Sequence, residues 1–293
     1  MFLHINQPML LSVCIRTYNQ ERFVSQALES VLMQRTCFPF EIIVSDDCSS
    51  DGTRTILKDF EQRYPGRFHL LLGETNVGGP NNLRRVIEAS SAKYITCLDG
   101  DDYYTDKYKL QKQVEFLEDN EKYAACFHNV LSISEESDER SLFLPLDFPS
   151  IVDARDVISK RWFLPIHSVM MRRELISFPD WYDTVMNDDF VVNLSVVMHG
   201  PYYYMPDVMA IYRHHTSNVS IGYRDISLIN GQLCKILDGF SRIYPEEYMH
   251  VFENRIKDLQ YESERYLKEM HEPWRKWLKI KTYKHLFKQL FQL

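Results

Sequence analysis

Leu98-Asp99-Gly100-Asp101-Asp102 places three carboxylates directly after an apolar segment, residues 92–97. In an extended Asp-x-Asp step both side chains point the same way. Two such carboxylates can grip one hard divalent cation, Mg2+ or Mn2+, and that cation can grip a diphosphate. The pattern suggests a metal-dependent enzyme acting on a nucleotide-linked substrate. A plain surface turn is the competing reading, because Asp and Gly dominate turns. The stretch alone does not separate the two.

Other segments of the chain carry comparable chemistry. Arg16-Thr17-Tyr18-Asn19 ends an apolar run in a polar turn that can present backbone and hydroxyl groups to a base or ribose. Ser45-Asp46-Asp47-Cys48-Ser49-Ser50-Asp51-Gly52-Thr53 puts two acids after another apolar run, where they can accept from a pyrimidine imide and a ribose hydroxyl. Ser50 or Asp51 suits a helix cap. Asn76-Val77-Gly78-Gly79-Pro80 lets backbone approach a ligand closely just before a helix start, which favours anions. Arg84 and Arg85 follow, either as phosphate contacts or as solvated charges. Asp188-Asp189 sits where a helix opens, and a carboxylate there can serve as a general base toward an acceptor hydroxyl or simply cap the helix. In Ile211-Tyr212-Arg213-His214-His215-Thr216, Arg213 can meet a diphosphate and His215 can complete a metal shell.

These residues need a scaffold that brings them together. Leu10–Ile15, Phe40–Val44, Phe68–Leu72 and the segment leading to Asp99 read as strands, separated by single helical patterns. That alternation implies a parallel sheet with right-handed crossovers, whose ligands bind beyond the carboxyl ends of the strands. Thr17, Asp47, Gly78 and Asp99 all fall at such ends. Farther on, Leu110–Leu117 reads as a helix, 124–130 as a strand, 153–158 as a short helix and His167–Met171 as a strand. From about Ser227 the pattern is helical, interrupted at Pro245 and Pro273.

Composition narrows the function class. A net charge of −7 argues against nucleic acid as the partner of the bulk of the chain. The 6 cysteines are scattered without a C-x-x-C pair, which favours a reducing cytoplasm and argues against structural zinc. Met1-Phe2-Leu3-His4 has no basic region leading into a long apolar core, so no signal peptide is expected. No apolar run reaches the roughly 18 residues that a spanning helix needs. Residues 274–291 carry 6 basic residues and no acid, with Trp277, Ile280, Phe287 and Phe291 near one face of a helical wheel. Such a tail either lies on an anionic membrane surface or docks on the rest of the protein.

Taken in order, Ser12–Asn19, Val44–Thr53, Asn76-Val77-Gly78 and Leu98–Asp102 resemble the motifs of family 2 glycosyltransferases of the GT-A fold. The resemblance covers roughly residues 9 to 222. It implies an α/β fold: a single Rossmann-like, mostly parallel sheet flanked by helices, with a C-terminal helical extension. Residues 1–225 would form the catalytic domain, with the nucleotide-sugar side at 9–102 and the acceptor side at 103–225. Residues 226–293 would form the helical region and its basic tail. The activity implied is transfer of a sugar, with inversion, from a nucleotide-diphosphate donor, usually a uridine one. The acceptor would be a hydroxyl of a glycan or a lipid-linked molecule in surface polysaccharide synthesis, in the cytoplasm or at the inner face of the plasma membrane. Thr17 and Asp47 look like base contacts with Asp46 close by, and Tyr18, Asn19, Asn76, Gly78 and Gly100 line the same nucleotide-sugar site. Asp99 resembles the ribose-side and metal-side acid, and Asp101 the direct ligand of Mg2+ or Mn2+. Asp189 matches the acid that supplies the base, with Asp188 as runner-up, because Asn187-Asp188-Asp189 stands where Glu-Asp is usual. Tyr212-Arg213-His214-His215 resembles a Tyr-Arg-x-His segment expected on a flexible loop over the diphosphate. A sugar-phosphate nucleotidyltransferase is the nearest rival, although no basic glycine-rich loop follows the first strand. A non-catalytic nucleotide-sugar-binding module is the other.

Overall fold

The computed structural model describes residues 9–137, 139–160, 164–216 and 225–270. Its first half is the alternation that the sequence implies: β1 (Leu11–Thr17), α1 (Val24–Leu32), β2 (Phe40–Asp46), α2 (Thr53–Arg63), β3 (Phe68–Leu72), α3 (Gly79–Glu88) and β4 (Tyr94–Asp99). These four strands are parallel, in the spatial order β3-β2-β1-β4. The second half adds β5 (Tyr103–Tyr104), α4 (Lys109–Asp119), β6 (Ala125–Ser134), β7 (Arg140–Leu142), β8 (Ile151–Val152), α5 (Ala154–Ser159), β9 (Met170–Arg172), α6 (Asp188–Val197) and β10 (Tyr202–His214). The sheet continues β4-β9-β6-β10-β5, with β9 antiparallel to both neighbours and β10 parallel to β6. Two helices follow, α7 (Ile226–Ser241) and α8 (Met249–Met270). No helix among the described residues is long and apolar enough to cross a membrane.

The period-2 alternation of the central strands feeds a core on each face of the sheet. Val13 and Ile15 of β1 belong to the core shared with α1, α2 and α4, whereas Cys14 belongs to the core shared with α3, α6, α7 and α8. The same parity sends Ile95 and Cys97 of β4 to the α3/α6 face. Arg16 and Asp99 are the next residues of that parity on each strand, so both emerge on the α6 side of the sheet. The C-terminal helices share this core through Leu233, Ile236, Phe240, Phe252 and Leu259.

Two expectations are corrected. His167 and Ser168 are not in a strand: Pro165 opens a tight turn, with Ser168 N donating to Pro165 O at 2.8 Å, and the strand starts only at Met170. Tyr212-Arg213-His214 is not on a loop. It forms the end of β10, paired with Ser132, Ile133 and Ser134 of β6, and His215 follows directly. The basic tail at 274–293 and the end of the histidine segment, Ser217–Ser220, lie outside the described residues.

Candidate active site

The carboxyl ends of β1 and β2 are stitched together by an acid that faces inward. Asp46 is fully buried. It accepts from Thr17 Oγ1 at 3.1 Å, Ser49 N at 3.0 Å and Arg54 Nε at 2.6 Å. Both its oxygens are filled by the protein, so Asp46 anchors the turn instead of offering an acceptor to a base. Thr17 is withdrawn with it. Asp47 reaches the neighbouring loop: its two oxygens accept from Val77 N and Gly78 N, each at 2.9 Å. Asn76 Oδ1 also accepts from Gly78 N, at 3.0 Å. Gly78 has φ +86°, a backbone region that side chains rarely adopt. Tyr18 is 47% exposed at the rim of this region. Asn19, at φ 52°, accepts through Oδ1 from Ser50 N at 2.8 Å. Asp51 accepts from Thr53 N at 3.0 Å at the start of α2, as a capping residue does. Arg84 pairs with Glu88 on the surface, whereas Arg85 donates to Ser45 Oγ at 2.8 Å and Asp46 O at 3.1 Å and so serves the scaffold.

The second cluster lies at the end of β4. Asp99, Asp101 and Asp102 each bring an oxygen within 4.8 Å of the others. Gly100 between them has no room for a side chain, since a Cβ would collide with Gln20 Oε1 and lie 2.8 Å from Thr17 Cγ2. The three acids do different things. Asp99 is taken by Arg16, whose Nε meets one oxygen and whose Nη2 meets the other at 3.2 Å. Asp101 Oδ2 lies 3.2 Å from His215 Nε2, and the His215 ring packs on Phe23. Asp102 is buried, accepts from Arg213 N at 2.8 Å and lies 3.0 Å from His167 Nδ1. Burial raises the Asp102 carboxyl to about 6, with His167 opposing. Arg213 itself is held between the Phe23 and Tyr103 rings and donates to Gln26 Oε1 at 2.6 Å. Carboxylate donors suit Mg2+ or Mn2+, and an imidazole beside them is better matched to a transition metal than to Mg2+. Asp99, Asp101 and Asp102 are grouped closely enough for one cation, with His215 beside Asp101.

The third group is the start of α6, on the same face. Asp188 Oδ2 meets Arg16 Nη1, so one guanidinium spans the β4 acid and the helix acid. Burial pushes the Asp188 carboxyl up while Arg16 opposes it. Burial likewise works against the Arg16 cation, but Asp188 and Asp99 outweigh it and hold its pKa well above the usual value. Asp189, half-buried, accepts from Phe190 N at 2.8 Å through Oδ1. Sequence reading gave no role to Arg16 or His167. Strand parity and the pairing of Arg16 with Asp99 were the signal for the first. Nothing local marked the second.

The geometry agrees with what is found among known proteins. The profile of Glycosyl transferase family 2 matches residues 12–177. An uncharacterized protein of Mycobacterium tuberculosis is 35% identical over 209 residues, 71% of this chain, which spans 60% of that relative's length. The putative teichuronic acid biosynthesis glycosyltransferase TuaG of Bacillus subtilis is 37% identical over 112 residues, 38% of this chain and 43% of its own. Among solved structures, S. aureus TarS 1-349 in complex with UDP-GlcNAc superposes with TM-score 0.60 at 18% identity, covering 86% of this chain and 80% of that one. The mannosyltransferase PcManGT of Pyrobaculum calidifontis, in complex with GDP-Man and Mn2+, gives 0.61 at 16% identity over 98% and 88%. At these identities the two structures establish the shared GT-A fold. Strand-end acids on a doubly covered sheet, and a profile match over more than half of the sequence, agree: the chain belongs to glycosyl transferase family 2.

Proposed function

We propose that the protein is an inverting, metal-dependent glycosyltransferase. It moves a sugar from a nucleotide-diphosphate donor, a uridine one in this reading, to a hydroxyl of a glycan or lipid-linked acceptor in surface polysaccharide synthesis. The observation that carries this is the single cluster formed by the β4 acids and the α6 acids, joined through Arg16. A donor-side ion site and a candidate base then share one face of one sheet. The uridine choice is supported by UDP-GlcNAc in the TarS complex.

The chain's residues divide the work. Asp101 with His215 would hold Mg2+ or Mn2+, which supplies charge neutralisation for the leaving diphosphate. Asp47 fixes the loop at Val77-Gly78, whose backbone approaches the donor. Tyr18 offers an exposed ring for base stacking. Asp189 takes the proton from the acceptor hydroxyl as its oxygen attacks the anomeric carbon from the face opposite the diphosphate. One displacement of this kind inverts the configuration. Asp188 is the poorer base, because Arg16 already occupies it.

Thermal-shift screening against a panel of nucleotide sugars with Mn2+, followed by a donor-hydrolysis assay, tests the reading. Stabilisation by one UDP-sugar with slow hydrolysis supports it. Binding without hydrolysis points to a non-catalytic module, and turnover of a nucleoside triphosphate with a sugar phosphate points to a nucleotidyltransferase. A lipid-linked acceptor also predicts peripheral membrane contact through 274–293. The full chain should pellet with anionic liposomes and a chain ending before Trp274 should not; equal pelleting would remove the tail from the account.

A further inference from the structure

We propose that Arg16 is a positioning residue, whose guanidinium sets the placement of the candidate base Asp189 relative to the donor by tying Asp99 to Asp188. The inference rests on the transferase reading above. Register comes first: Arg16 of β1 is the direct cross-strand partner of Asp99 on β4. Strand parity turns both side chains toward α6. A planar guanidinium can offer one edge to one carboxylate and a third donor to another, which a lysine ammonium does not reproduce. Arg16 does this, with Nε and Nη2 on Asp99 and Nη1 on Asp188.

The start of α6 depends on that contact. Its N-cap residue, Asn187, makes no side-chain capping bond. Asp188 Oδ1 accepts from Asp189 N at 2.8 Å, and Oδ2 goes to Arg16. The first turn of the helix, including Asp189, is thereby referenced to β1 and β4, the strands that carry the donor-side loops. Gly79, the first residue of α3, lies close to the same carboxylate: a Cβ added there would be 3.8 Å from Asp188 Oδ2. Three elements of the site therefore meet around one ion-paired carboxylate. Arg16 touches no reacting atom in this scheme; it acts through Asp188.

The test uses the full chain as wild type, Arg16→Lys, Arg16→Met, Asp188→Asn and the double variant Arg16→Met/Asp188→Asn. Binding is read with UDP and Mn2+ by calorimetry. Turnover is read as hydrolysis of whichever UDP-sugar the wild type cleaves fastest. A misplacement on the order of 1 Å costs about 100-fold in rate. Arg16→Met should therefore lose about 100-fold in kcat, with the UDP Kd changed less than about threefold. Arg16→Lys should recover part of the loss. Asp188→Asn should lose a similar amount, and the double variant no more than either single one, as residues acting through one contact do. If Arg16→Met fails to fold because two acids are left facing each other, the double variant, which removes one of them, decides. Unchanged kcat, additive losses, or a loss confined to UDP affinity would overturn the assignment while leaving the transferase reading intact. A wild type that neither binds UDP nor cleaves any donor would overturn both.

Discussion

The acid pair at the end of β4 and the acid pair at the start of α6 solve one problem with two backbones. In Asp101-Asp102 the second acid is buried and holds the scaffold, accepting from Arg213 N and lying against His167. In Asp188-Asp189 it is the first that is buried, and it holds Arg16. The remaining member of each pair, Asp101 or Asp189, is half-buried. What lies beneath differs. Under Asp188 is a guanidinium, a permanent charge. Against Asp102 lies His167, while deeper along β4 Lys109 is fully buried beside Thr96 and donates to Gln113 Oε1 at 2.8 Å. Burial pushes the Lys109 ammonium down to about 7. Each of these two pairs thus combines a buried anchor with a half-buried neighbour, whereas in Asp46-Asp47 both acids are buried and hold scaffold.

The largest effect that can break this division is at α6. Asp189→Asn should lower turnover by about 1,000-fold, a typical loss for a general base, with UDP–Mn2+ affinity retained in calorimetry. Loss of donor binding instead would place Asp189 on the donor side and dissolve the contrast with Asp188.

The next test separates anchor from outward group at β4. Asp102→Ala leaves Arg213 N without its buried acceptor, removes the carboxylate beside His167 and should cost about 1–3 kcal/mol. Asp101→Ala should leave the melting temperature nearly unchanged without metal. Equal melting temperatures for the two variants would show that the pair is not divided as described.

How far all this was legible beforehand follows the same line. The alternation from β1 to β4 was readable because each strand is a short apolar run closed by polar turn residues, and Phe68–Leu72 was placed to the residue. The motif acids were readable because carboxylates after buried strands are costly without a partner. Which acid faces inward was not readable, because that depends on partners far along the chain: Thr17 for Asp46, Arg16 for Asp188, His167 for Asp102. The loop expected for the histidine segment follows from the family resemblance, and only pairing with β6 reveals the strand. His167 was taken for a strand residue because the turn after Pro165 sits directly before an apolar strand.

The smallest effect is expected at the buried Lys109. With its pKa lowered from 10.5 to about 7, Lys109 is mostly unprotonated in the folded protein at pH 7.5–8.5 but protonated when unfolded. The unfolded state then binds more protons, so stability rises with pH. Urea unfolding should show the wild type gaining about 1 kcal/mol between pH 7.5 and 8.5 relative to Lys109→Met. Parallel behaviour of the two proteins would mean that Lys109 stays charged in the folded protein.

The central claim is that Asp101 holds a divalent ion that binds the donor diphosphate. Calorimetric titration of UDP into the wild type and into Asp101→Ala, each with Mn2+ and with EDTA, tests it most directly. The account predicts tight binding only for the wild type with Mn2+. Equal UDP affinity in all four titrations would contradict it.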